Sequence, residues 1–181
     1  MHSDLKPLKL SYELPWRTKA DDLFLQSPEW KAKKLKILER GDSSCDYCGE
    51  KSERGQHVNH IDGSPKNNVD SNLEVICPEC HMFLHSRLWC VVRKVVICFR
   101  ESKYSQNDIV ILTRKMRAEG RPDSEIIAFL GLEQQVPWIQ NLHYLSNLFG
   151  FISSRVSTIS GPKPYLTERQ QKKSIASMKD W

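Results

Sequence analysis

The 181-residue sequence predicts an α+β protein, with a small strand–loop–strand–helix unit bounded by cysteine pairs and embedded in a mostly helical chain. Three observations lead there. Cys45 and Cys48 form one CxxC pair, and Cys77 and Cys80 form another. Between them, residues 56–61 and 73–76 are short runs with strand character, and Asp62-Gly63 after the first is a good turn signal. On either side of this block, helix start and stop signals recur along the chain.

Taken in order, residues 1–26 read as an irregular N-terminal arm, broken by Pro7 and Pro15 and anchored by Trp16 and Phe24. A helix is expected from Ser27, because Ser is a good N-cap and Pro28 is favoured at the first helical position. Trp30, Leu35 and Leu38 fit its apolar face, and Gly41 ends it. In the cysteine-bounded block, residues 45–85, Pro78 suits the first turn of a helix that puts His81 and His85 on one face. That helix is expected to run on through Leu84, Leu88 and Val92. Beyond Arg100, an Ile109, Leu112, Met116 stripe is closed by Gly120, Asp123 can cap the helix SEIIAFL that Gly131 stops, and Pro137 opens WIQNLHYLSNLF. Residues 89–152 are therefore expected to be helical, either as a helix-turn-helix or as a plain bundle. Residues 153–181 read as a linker and a basic terminal helix, started by a capping box of Thr167 with Gln170.

Composition narrows the class. Hydrophobic residues make up 39%, charged residues 27% and the mean hydropathy is −0.52, a soluble globular balance that excludes extensive disorder and a membrane protein. The run LWCVVRKVVICF is split by Arg93 and Lys94 and is too short to span a bilayer. The opening residues lack a continuous apolar core, so no secretory leader and an intracellular setting are expected. The net charge is +5, distributed as +2 over residues 1–44, −4 over 45–85 and +7 over 86–181. An acidic centre between basic flanks suits a cation site whose neighbours hold a polyanion, although solvated helix faces would give the same pattern.

In a reducing compartment six cysteines are seldom three disulfides. Two CxxC knuckles separated by a moderate loop let four thiolates, from Cys45, Cys48, Cys77 and Cys80, converge tetrahedrally on one Zn²⁺. No ligand position is then left open, which makes that zinc structural. A redox role for one CxxC is the alternative, but it needs no second copy at this spacing. Cys90 and Cys98 lack such spacing and read as buried small hydrophobes.

Between the knuckles stand His57-Val-Asn59-His60-Ile-Asp62-Gly63, the pair Asn67-Asn68 and Asn72-Leu-Glu-Val-Ile, with His81 directly after Cys80 and His85 one turn later. In this order the block resembles the HNH endonuclease family, also called His-Me finger or ββα-metal nucleases, in the zinc-ribbon form found in phage and mobile-element proteins. The segment SPEWKAKKLKILERGDSSCDYCG resembles the helix that leads into such modules, so the likeness covers residues 27–88. The fold it implies is a zinc-clipped ββα-metal module embedded in the mostly helical chain.

The resemblance implies that His60 is the general base that deprotonates water and that Asn72 orients the loop between the strands. It further implies that Asn59, His81 and His85 bind a catalytic divalent ion. The family usually has Asp or His where this chain has Asn59. An amide oxygen is a weaker, neutral ligand, so Mn²⁺, Co²⁺ or Ni²⁺ would suit the site as well as Mg²⁺. Neighbours on a regular strand face opposite sides, so Asn59 and His60 share a site only if the strand twists or ends there.

Imidazole, with its ordinary titration range near neutrality, suits the base, and a divalent cation supplies charge relief on the leaving 3′ oxygen. The implied activity is a metal-dependent DNA endonuclease giving 5′-phosphate and 3′-hydroxyl ends. One site nicks one strand, and double-strand cleavage needs a homodimer or two encounters. Homing, restriction and phage DNA processing all fit, in bacterial or phage-infected host cytoplasm and without a membrane partner. DNA contacts are expected from the basic residues Arg87, Arg93, Lys94, Arg114, Lys115 and Arg117. The alternative is a non-catalytic zinc-ribbon nucleic-acid-binding protein, favoured only by Asn59; a third possibility is a nuclease acting on RNA or on junctions. Plainer readings stay open beside these. His57 is a rival base or a surface strand residue, His85 a ligand or a packing residue, and Asp62, Asn67 and Asn68 are loop formers.

Overall fold

A computed structural model of the protein describes residues 5–12 and 18–154. Trp16 and the expected terminal helix lie outside the described residues. The first described segment, 5–12, is extended and packed into the molecule. Leu8 and Leu10 are buried, and Ser11 N donates to the Phe83 carbonyl. A short helix, α1 (Lys19–Phe24), lies within the expected arm and is started by a capping box between Thr18 and Asp21. The next, α2 (Pro28–Arg40), has the Ser27 cap, the Pro28 start and the Gly41 end expected of it. Its inward face is Trp30 and Ile37; Leu35, expected there, is exposed. Gly41 is needed for close approach, since a Cβ there would lie 2.7 Å from the Val75 Cγ2.

The cysteine-bounded block forms the expected hairpin and helix. Strands β1 (His57–His60) and β2 (Leu73–Ile76) pair antiparallel, with Asn59 opposite Glu74 and His60 opposite Leu73. The connection closes in a single 3₁₀ turn, Asp70–Asn72. Helix α3 (Pro78–Leu84) follows, with Cys77 as N-cap and Pro78 at its first position. It stops earlier than expected. The chain continues as a wider, π-type turn over Arg87–Val92.

Residues 89–152 depart from the helical expectation. Helices α4 (Gln106–Ala118) and α5 (Asp123–Leu130) form, and Gly131 ends α5 as expected. Asp123, expected as the cap of α5, is instead its first residue and pairs with Arg117; the cap position is Pro122, with no side-chain bond. Around them runs an antiparallel sheet in the order β4-β3-β5, from β3 (Val96–Glu101), β4 (Glu133–Val136) and β5 (Phe149–Ile152). Among the described residues beyond Gly131 the only helix is the single turn α6 (Leu142–Leu145), so α4 and α5 are not followed by the second short helix that the helix-turn-helix reading places there. The reason is tertiary. Short apolar runs such as Val96-Ile97-Cys98-Phe99 do not distinguish a buried strand from a buried helix, and here they complete a sheet that covers α4 and α5.

The two halves share one core. Leu8, Leu10, Cys80, Phe83, Val96, Cys98, Leu145 and Ile152 belong to a single buried cluster. Strand β5 comes so close to α3 that a Cβ on Gly150 would lie 2.5 Å from the Phe83 ring. The architecture is α+β with a four-cysteine cluster. No helix among the described residues is long and apolar enough to cross a membrane.

Candidate functional site

The four knuckle cysteines come together. Cys45 and Cys48 sit on a turn completed by Gly49 in the left-handed region (φ 71°), and Cys77 and Cys80 occupy the cap and first turn of α3. All four are buried, and their Sγ atoms lie within 4.8 Å of one another, a donor set able to hold a metal such as zinc. Arg114 of α4 closes over the cluster. Its guanidinium lies 3.7–3.8 Å from the sulfurs of Cys48 and Cys77 and pairs with Glu50 and Glu79. Burial works against its charge, but Glu79 and then the Cys48 sulfur hold its pKa above the ordinary guanidinium value.

The hairpin presents two faces, because side chains alternate along each strand. Val58, Leu73 and Val75 face α2 and pack with Trp30 and Ile37. His60 stacks on the Trp30 indole at 5.4 Å with an interplanar angle of 12°, and its Nε2 lies 2.8 Å from the Asn68 Oδ1. On the other face, Ile76 joins the core that includes α3, and Asn59 and Glu74 meet side by side. Strand β1 ends at His60, so Asn59 and His60 line the same cleft of about 240 Å³ together with Tyr12, Tyr47, Asp62 and Glu74.

Asn72 holds the loop between the strands. Its Oδ1 accepts from the Asp62 N–H, and its Nδ2 donates to Asp62 Oδ1 and to the Asn67 carbonyl. Hydrogen bonds from Asn67 and Asn72 lower the Asp62 pKa. From α2, Arg40 donates to the Asp70 and Leu73 carbonyls, while Lys33 and Lys36 pair with the Asp70 carboxylate.

The histidines of the helix form a row with one from the strand. His81 and His85 approach at 2.8 Å between Nε2 atoms, and His57 Nδ1 lies 3.0 Å from His81 Nδ1. A spacing near 3 Å between two ring nitrogens suits shared ligation of one ion, and a ligating imidazole commonly uses its second nitrogen for an orienting partner. His57 occupies that second position on His81. Asn59 meets Glu74: its Nδ2 donates to Glu74 Oε1 at 2.8 Å.

Among the candidate DNA contacts, Arg114 is turned to the cysteines and Arg117 is occupied by Asp123, the Ile152 carbonyl and the Phe151 ring. Lys94 and Lys115 are exposed, and Arg87 and Arg93 are half-buried. Cys90 of the π-type turn and Cys98 of β3 lie with sulfurs 3.7 Å apart.

Reading the motif alone missed Glu74, Asn68 and Trp30. Glu74 was within reach, since pairing the two short strands places it opposite Asn59. Trp30 was expected on the apolar face of α2 and Asn68 in the loop, but their contacts with His60 are tertiary and no spacing shows them.

Residues 45–87 match the family model described as HNH endonuclease. No curated protein matches the chain.

Proposed function

We propose that this chain, which carries an HNH endonuclease domain at residues 45–87, is a metal-dependent DNA endonuclease. The observation that carries the reading is the cleft at the end of β1, where His60 stands on a rigid indole platform beside Asn59 and beneath the loop tied by Asn72. His60 is the general base. With Asn68 Oδ1 accepting from its Nε2–H, the Nδ1 lone pair is left to take a proton from water, and Trp30 fixes the ring plane. Asn72 acts through the loop, holding the segment that carries Asp62 and Asn68.

Asn59, His81 and His85 are the residues that would hold a catalytic divalent cation, Mg²⁺ or a more nitrogen-tolerant ion such as Mn²⁺ or Ni²⁺. When bound, the ion supplies Lewis acidity toward the phosphate and the leaving 3′ oxygen. Zinc in the four cysteines is structural, tying the first knuckle to the start of α3. Products carry 5′-phosphate and 3′-hydroxyl ends. A single cleft nicks one strand, and a homodimer would cut both. Lys94 and Lys115, with Arg87 and Arg93, are the candidates for phosphate contact.

The test is a supercoiled-plasmid assay on zinc-loaded protein with EDTA, Mg²⁺, Mn²⁺ or Ni²⁺, beside His60→Ala. Metal-dependent nicking that disappears in the variant, with zinc content and DNA binding intact, is the expected result. Nicking at the wild-type rate in His60→Ala moves the base elsewhere. DNA binding without cleavage by the wild type, over plasmid and randomised substrates, leaves a zinc-ribbon binding protein.

A further inference from the structure

Glu74 is the most deeply buried acidic residue among the described ones, at 1% exposure, and it lies on the floor of the cleft. Each carboxylate oxygen has donors. Oε1 accepts from Asn59 Nδ2 at 2.8 Å and from the Tyr47 hydroxyl at 2.9 Å, and Oε2 accepts from Lys6 Nζ at 2.7 Å. A buried carboxylate held by a cation and two neutral donors is a built arrangement, since leaving such a charge unpaired would be strongly unfavourable.

That arrangement decides which way an amide points. An ionised carboxylate only accepts hydrogen bonds, so Asn59 must present its NH₂ to Glu74, and its Oδ1 is the atom left for a cation. A charged acceptor on the NH₂ also draws the amide toward the polar form that carries more negative charge on oxygen. We propose that Glu74 is a positioning residue of the metal site, acting through Asn59. The carboxylate in this chain stands one strand over, on β2, and the amide on β1 carries its influence to the cleft. Asn59 is then a ligand fixed by a partner rather than a weakened acid. This rests on the reading of the cleft as a metal-dependent nuclease site.

The experiment uses the full-length, zinc-loaded chain and Mn²⁺ as probe, with free Mn²⁺ followed by EPR, for wild type, Glu74→Met, Glu74→Gln, Asn59→Ala and the corresponding double variants. Glu74→Met keeps volume and removes both acceptors. It should weaken Mn²⁺ binding by about 10- to 100-fold, the usual effect of losing an orienting partner. Glu74→Gln keeps an acceptor without the charge and should fall between, at about a three- to tenfold loss. In the Asn59→Ala background neither change at position 74 should add more than about twofold, because the group it acts through is gone. A Glu74→Met affinity within twofold of wild type, or an equal loss with and without Asn59, overturns the proposal. Should Glu74→Met fail to keep zinc, the Glu74→Gln cycle decides by the same two criteria. Wild-type protein that neither binds Mn²⁺ nor cuts overturns the nuclease reading together with this one. Wild-type protein that binds and cuts, beside indifferent Glu74 variants, overturns this one alone.

Discussion

Arg114 offers the sharpest test of how the cysteine cluster is held. Its guanidinium touches two sulfurs of the cluster and two carboxylates, Glu50 and Glu79, from a side chain 27% exposed. Four thiolates around a zinc ion carry a net charge near −2, and the two carboxylates add to it. Arg114→Met keeps most of the side-chain volume and removes the guanidinium that pairs with these anions. The carboxylate pairs are half-exposed and are worth about 0.5 kcal/mol each. The contacts to buried thiolates are worth about 1 kcal/mol or slightly more. The sum, about 2–3 kcal/mol, should appear as zinc binding weakened by about 30- to 150-fold in a chelator competition. It should also lower the melting temperature by about 4–10 °C in a chain of this size. Because the guanidinium is turned inward, the salt dependence of DNA binding should not change. Zinc affinity within about threefold of wild type, together with a shallower salt slope, would refute the reasoning and return Arg114 to the phosphate backbone.

Two further outcomes are expected. Asn72→Ala removes three hydrogen bonds that hold the loop between β1 and β2 and should cost about 2–3 kcal/mol in thermal or urea unfolding; its nicking rate should fall while zinc content stays the same, and an unchanged rate would mean that the loop needs no such tie. Burial raises the Asp123 pKa, but the Ser154 N–H and Arg117 outweigh it, so the folded value lies below the ordinary 3.8. A depressed carboxylate stabilises above its unfolded pKa and loses that contribution as pH falls through the folded value, so Asp123→Asn should be less stable than wild type at neutral pH and the gap should close below about pH 4. A gap independent of pH would remove the charge from that account.

What the sequence made legible was local. Ser27 with Pro28 started α2, because capping needs only groups three residues apart. The two CxxC pairs announced their cluster by spacing, and the short runs at 57–60 and 73–76 announced the hairpin. What stayed hidden depends on distant partners. Strands β3 and β5 are short and apolar, and β4 is polar and exposed, so none has a clean period of two. Arg114 meets Cys48 across 66 residues, and no pattern in either segment names the other. The cleft was legible by motif at His60 and Asn59, whereas Glu74 emerges only once the strand register is known. Leu35 looked like a core residue because its spacing fits, yet α2 is rotated so that Ile37 faces inward.

The extended segment 5–12 bears on how the molecule is completed during synthesis. Its bonds are to residues made much later: Leu8 N donates to Asn107 across 99 positions, and Ser86 N donates to the Ser11 carbonyl. Asn107 also donates to the Lys6 and Tyr47 carbonyls, so one side chain on α4 joins the arm to the first cysteine knuckle. Contacts of such long sequence separation form late and slowly. On the ribosome the hairpin and α3 can assemble around their cysteines while Lys6 still lacks the support of Asn107. Lys6 is also held by the first knuckle, where its N–H donates to the Asp46 carbonyl and its ammonium pairs with the Asp46 and Glu74 carboxylates. Translation order thus adds the tie from α4 last, after the arm, the first knuckle and α3 have already been offered the bonds they make with one another.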